Sequence, residues 1–191
     1  MFGLSMFSSL VYEVAWSRSL SLVFGTTIYA FTAVLTAFMA GLAFGAYGFG
    51  RIADQTRRPV LLFAKLEFAL GACGVLLIPL FELTYGVRLA LFSQLQGSSA
   101  MLFVMFGIVF LLLIVPTGIM GATFPLMTKI YSRNFDRDIS DVYAVDTICA
   151  GAGAMVGGFL FLPYLGLSQT IVLAAALNLM AGFVLYRGRE R

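Results

Sequence analysis

Four ionisable side chains, Glu13, Arg18, Glu67 and Asp146, sit within or beside stretches that are otherwise apolar. A charge carried to the centre of a lipid-spanning helix costs about 2.5–3.5 kcal/mol, so each of these groups asks for a partner or a path to water. Two kinds of chemistry answer that demand: polar clasps between helices, or a site for a proton or a substrate. Glu13 falls in a stripe of Ser5, Ser9, Glu13 and Ser17 at four-residue spacing. Arg18, five residues on, lies about 140° around the helix, so the two are expected not to pair with each other. Asp146 stands four residues before Ala150, in line with a run of small residues, and is expected to face a neighbouring helix. Glu67 follows Lys65 near an interface and reads as a solvated or snorkelling group.

Other chemistry is narrow. Histidine is absent, which removes Ser-His-Asp triads, Cys-His dyads and His-ligated metals from what this chain can build. Cys73 and Cys149 lie in apolar runs and read as small hydrophobes. No metal site and no cofactor are expected, and with no recognisable nucleophile-base pair, catalysis by this chain alone is not expected either.

The elements that must position these groups follow from composition. The 191 residues are 61% hydrophobic and 11% charged, with a mean hydropathy of +0.98, which excludes a soluble globule and a disordered chain. A net charge of +3 is too small and too scattered to suggest nucleic-acid binding. No charged segment precedes the first apolar stretch, where the first basic residue is Arg18, so that stretch reads as a span rather than a secretory signal.

The uncharged runs Ser19 to Gly50, Leu89 to Thr128 and Thr147 to Tyr186 are long enough to cross a hydrocarbon layer of about 30 Å. Turn chemistry at Gly25-Thr26-Thr27 and at Leu162-Pro163-Tyr164-Leu165-Gly166 divides the first and third, and the polar Ser93 to Ser99 stretch delays the second. The expected fold is an all-α integral membrane protein with six transmembrane helices, over 3–23, 27–50, 60–81, 99–127, 140–162 and 167–186, in a single domain. Arg51, Arg57, Arg58, Lys65, Lys129, Arg133, Arg137, Arg187, Arg189 and Arg191 then share one face, against Arg88 on the other. That asymmetry places both termini in the cytoplasm, in the cell membrane.

Helix two carries Ala30, Ala33, Ala37, Gly41, Gly45 and Gly48 at three-and-four spacing, and helix five carries Ala150, Gly153 and Gly157. Small faces let helix backbones approach closely in lipid. Both helices begin near a Tyr-Ala pair, Tyr29-Ala30 and Tyr143-Ala144, which suggests a 3+3 internal repeat resembling one half of a major facilitator fold. Pro116, Gly118, Gly121 and Pro125 are expected to kink or unwind helix four. Asp138 or Ser140 is expected to cap helix five, after a solvated loop that includes Asp136, Arg137 and Asp141.

The loop from Gly50 to Arg58 resembles the signature between helices two and three of the major facilitator superfamily, departing from it at Gln55 and Arg57. The resemblance implies a cytoplasmic brace made by Asp54, Arg51 and Arg58. Four further segments are more specific: Tyr12 to Arg18, Gly25 to Phe31, Met120 to Pro125 and Val142 to Thr147 leading into the glycine-rich helix. In this order they resemble the membrane part of the spermidine-synthase-like integral membrane proteins, with Asp146 standing where that pattern has a neutral amide. That family's membrane part is usually followed by an aminopropyltransferase-like domain. No GGGDG-like loop occurs here, and the sequence ends just after helix six, so the resemblance implies a membrane module without its catalytic domain.

Three roles follow as expectations: a module anchoring or serving an aminopropyltransferase-like partner, a half-size transporter acting as a dimer, or a structural subunit of a larger membrane complex. The expected partners are the lipid bilayer and a protein partner, either a second copy or a synthase-like domain.

Overall fold

The computed structural model describes residues 2–24, 28–95, 99–131 and 135–188, and every element among them is helical. The helices are α1 (Phe2–Phe24), α2 (Ile28–Gln55), α3 (Pro59–Leu95), α4 (Ser99–Tyr131), α5 (Phe135–Val156), the single turn α6 (Leu162–Leu165) and α7 (Leu167–Arg187), with a π-helical turn (Gly157–Phe161) joining α5 to α6. The expected turn at Gly25-Thr26-Thr27, the basic Arg133 and the terminal Arg189 and Arg191 lie outside the described residues.

Five segments are long and apolar enough to cross a membrane: Phe31–Gln55, Pro59–Ala90, Phe103–Tyr131, Ile139–Leu165 and Leu167–Arg187. Their outward side chains, among them Phe31, Phe44, Leu76, Phe103, Leu111, Ile148 and Phe159, are large, apolar and exposed, as a lipid-facing surface requires. The first helix is the least lipid-like and the most enclosed. Val11, Tyr12, Ala15, Trp16 and Leu20 of α1 are fully buried, and α1 contacts α2, α3, α4, α5 and α7. A helix surrounded by others meets side chains rather than lipid, so it tolerates Ser5, Ser8 and Ser9.

Relative directions follow from which residues meet. Gly3 faces Cys149, Gly153 faces Phe7 and Gly157 faces Val11, so α1 and α5 run parallel. Gly41 faces Thr117 and Gly45 faces Gly118, so α2 and α4 also run parallel. Gly71 meets Ala175 and Leu179 while Gly182 meets Ala64, so α3 and α7 are antiparallel. The starts of α1, α3 and α5 and the ends of α2, α4 and α7 therefore gather at one end of the bundle. There Phe2 packs edge-on against Phe63 and Tyr131. Arg51, Arg57, Arg58, Lys65, Lys129 and Arg187 share this end.

Three boundaries differ from the sequence expectation. α3 does not stop at 81 but continues to Leu95, passing through Pro79. Polar residues after Thr84 do not break a helix whose last turns project beyond the hydrocarbon layer, because backbone hydrogen bonding continues whatever the solvent. α5 starts at Phe135, so Asp138 and Ser140 lie inside the helix rather than capping it. The fifth helical segment passes through Pro163 and ends at Gly166, the only described residue with positive φ, at 79°. Proline clashes with a carbonyl four residues back, and the wider π-helical turn immediately before it relieves that crowding: Leu162 N–H donates to Gly157 O.

The expected unwound turn in helix four is absent, since α4 is continuous from Ser99 to Tyr131 with Pro116 and Pro125 inside it. The glycines there serve close approach instead. A Cβ on Gly45 would lie 1.9 Å from Gly118 O, and one on Gly121 would lie 2.2 Å from Leu42 O. The α2 stripe is therefore a packing seam through Ala33, Ala37, Gly41 and Gly45, while Gly48 meets nothing within 4 Å.

Candidate functional site

Along α1 the buried polar stripe is Ser5, Ser8, Tyr12 and Ser19, with Trp16. Spacing of four residues advances 400° and so drifts about 40° per step, which carries Glu13 about 80° and Ser17 about 120° away from Ser5. Glu13 and Ser17 accordingly end half-buried at the flank, and Arg18 is exposed.

The buried face of α1 meets α3 and α7. Ser5 Oγ donates to Glu67 Oε1 on α3, and Ser8 Oγ contacts Asn178 Oδ1 on α7. Ser8 Oγ also lies 2.8 Å from Ser5 O, and Ser9 Oγ donates to the same carbonyl at 2.9 Å. Ser5, Ser8, Glu67 and Asn178 are all at 0% exposure. Glu67 is thus no solvated or snorkelling residue. Lys65, two residues earlier, is about 160° away in the opposite sense and exposed, while Glu67 faces the interior.

The hydrogen count of this junction is unbalanced. Tyr12 OH, Trp16 Nε1, Glu67 Oε2 and Asn178 Nδ2 are buried without a hydrogen-bond partner. Ser8 has one hydroxyl proton for two acceptors, Ser5 O and Asn178 Oδ1. Exchanging the oxygen and nitrogen of the Asn178 amide resolves the Ser8 conflict and leaves the amide oxygen, rather than Nδ2, without a partner. Ser8 then donates to Ser5 O and accepts from Nδ2. Tyr12 stacks on Trp16 with ring centroids 4.9 Å apart, and its hydroxyl abuts Gly74 of α3, where a Cβ would come within 2.2 Å. What the arrangement does physically is clasp three helices, through interhelical hydrogen bonds worth about 0.6 kcal/mol each and up to about 1.7 kcal/mol.

The four charged candidates do not converge. Glu13 is about 12 Å and Arg18 about 20 Å beyond Ser5 along α1, so neither reaches Glu67. Asp146 is half-buried one turn before Cys149, level with the start of α1, about 20 Å from the level of Glu13. Among the described residues no ion pair joins Glu13, Arg18, Glu67 and Asp146. Asn178 and Ser8, which a search for charges passes over, complete the junction. The signal for Asn178 was a lone amide between Ala174 and Gly182 at four-residue spacing.

A second polar contact sits at the basic end. Lys129 Nζ donates to the carbonyls of Ala53 at 2.6 Å, Asp54 at 2.7 Å and Thr56 at 3.0 Å, which uses all three ammonium hydrogens. Thr56 N–H meanwhile donates to Ile52 O at 3.0 Å. Lys129 therefore satisfies carbonyls that the end of α2 leaves open and places a cation at the negative end of its dipole. Lys129 makes these contacts at the segment where a brace by Asp54, Arg51 and Arg58 is expected. Asp54 contributes its carbonyl, Arg51 lies over the Tyr47 ring at 6.0 Å, and all three expected side chains are exposed. Lys129→Met is expected to destabilise the fold by about 1–2 kcal/mol, below the full value of charged hydrogen bonds because the site is partly exposed. An SDS titration of purified protein in mixed micelles measures it, with Arg58→Gln close to neutral.

No protein-family model, curated protein or solved structure matches this chain.

Proposed function

We propose that this chain is a six-span membrane module, built as a 3+3 repeat, that forms one lobe of a larger assembly and anchors or serves a spermidine-synthase-like partner. The enclosed α1 is the sixth span. Support for the repeat comes from the contacts themselves: exchanging α1 with α4, α2 with α5 and α3 with α7 carries the α1–α5 pair into α4–α2, the α3–α4 pair into α7–α1, and α3–α7 into itself. Each parallel pair closes on glycines four residues apart, Gly41 and Gly45 in one and Gly153 and Gly157 in the other. The partner's class rests on the four sequence segments that resemble spermidine-synthase-like membrane domains. The basic end, read as cytoplasmic by its charge, is where such a domain would dock.

The observation that carries the incomplete-lobe reading is Glu13. It lies about 16 Å along α1, near mid-membrane, and is only half-buried, with Ser17 and exposed Arg18 following it. Carboxylates at that depth face protein or a water-filled cavity rather than lipid. A photoreactive benzophenone attached to Ser17→Cys in intact membranes is expected to give protein adducts, from a synthase-like assembly or from a second copy. Adducts to lipid alone would contradict the reading. An adduct to a second copy, read at twice the mass of the chain, would favour a dimer of half-size transporters, in which Glu13 faces the shared cavity.

A further inference from the structure

At the end of the bundle opposite Lys129, residues of α1, α3 and α7 line a cavity of about 470 Å³. Its apolar walls are Ile78, Phe81 and Ile171, and its polar groups include Glu82, Tyr85 and Ser19. Glu82 is about 35 Å along α3 from Pro59, which puts the mouth at the far interface rather than in the hydrocarbon. Among the described residues no Lys or Arg lines the cavity and Glu82 has no ion pair. The Ser19 hydroxyl proton is committed to Ala15 O at 3.1 Å, so its oxygen offers an acceptor to the cavity. The volume lies in the range of small-molecule sites and is too small for a whole phospholipid.

We propose that this cavity binds an amphiphilic ammonium, its cationic head held by the Glu82 carboxylate and the face of Tyr85 and its apolar stem against Ile78, Phe81 and Ile171. A carboxylate, an aromatic ring and a hydroxyl acceptor at the mouth of an apolar slot complement a cation with N–H donors and a hydrocarbon body. Anionic amphiphiles of equal length meet the Glu82 carboxylate's repulsion at the mouth. The ammonium's source is either a lipid headgroup or a free amine.

Purified full-length protein in a neutral maltoside is titrated with decylammonium, decyl sulfate and decanol. Decylammonium is expected to bind saturably and in preference to the other two. Glu82→Gln is expected to weaken it about fivefold, the size of an exposed ion pair, and to leave decanol unaffected. Ile78→Trp fills the slot and is expected to remove both. Equal binding of the three amphiphiles, an ammonium affinity unchanged in Glu82→Gln, or wild-type binding in Ile78→Trp would each overturn the assignment. Native mass spectrometry of delipidated protein with phosphatidylethanolamine separates the sources. Displacement of the lipid by decylammonium assigns the site to headgroups, and failure of the lipid to bind assigns it to free amines.

Discussion

Gly45→Ala is expected to destabilise the folded bundle by about 2–3 kcal/mol, at the upper end of overpacking costs, and Gly45→Leu to prevent recovery of monodisperse protein. The added Cβ would sit 1.9 Å from the backbone oxygen of Gly118, and backbone does not yield as a flexible side chain does. The whole α2–α4 seam must therefore open by more than 1 Å, roughly, which loosens dispersion contacts along its length. Gly48→Ala, three residues on and with nothing within 4 Å, is the matched control. It is expected to be neutral, or more stable by up to about 1 kcal/mol from helix propensity. SDS unfolding in mixed micelles reads both variants. A Gly45→Ala protein as stable as Gly48→Ala would mean that α2 and α4 do not cross there.

The second large effect belongs to Glu67. Glu67→Gln keeps an acceptor for the Ser5 hydroxyl and the volume of the side chain, and is expected to cost less than about 1 kcal/mol. Glu67→Ala leaves a void and an unpartnered Ser5 and should cost about 2–4 kcal/mol. Glu67→Lys places an unpaired ammonium among Ser5, Ser8 and Asn178, all at 0% exposure, and is expected to abolish the fold. Stability ordered Gln, Ala, Lys follows from an enclosed junction. Equal tolerance of all three would follow from a solvated side chain, and a Glu67→Lys protein that folds would rule the junction out.

Much of the helical layout was legible because membrane helices announce themselves through uncharged length, and Gly166 through its place beside Pro163. The ends were less so. Residues 82–95 look like a loop to a rule that expects polar residues to end a span, yet a helix crossing an interface has no reason to unwind there. The Pro116 to Pro125 segment, expected to kink or unwind, stays helical, and the close approach of Gly118 and Gly121 to Gly45 and Leu42 shows only once the partner helix is in place. Of the site, Glu67 was named as an intramembrane residue while its burial was not foreseen. Asn178 is neutral and Ser8 common, so neither stood out. Lys129 acts on backbone carbonyls, which carry no side-chain signature in a sequence.

Sidedness of single cysteines is the most direct measurement on the six-span module. In a Cys73→Ala, Cys149→Ala background, Leu4→Cys, Arg57→Cys, Gly188→Cys, Ser21→Cys and Gly166→Cys are labelled with an impermeant maleimide in sealed vesicles of each orientation. A module in which α1 spans between its neighbours predicts that positions 4, 57 and 188 label from one side, and positions 21 and 166 from the other. Position 4 labelling from the same side as position 21 would contradict it.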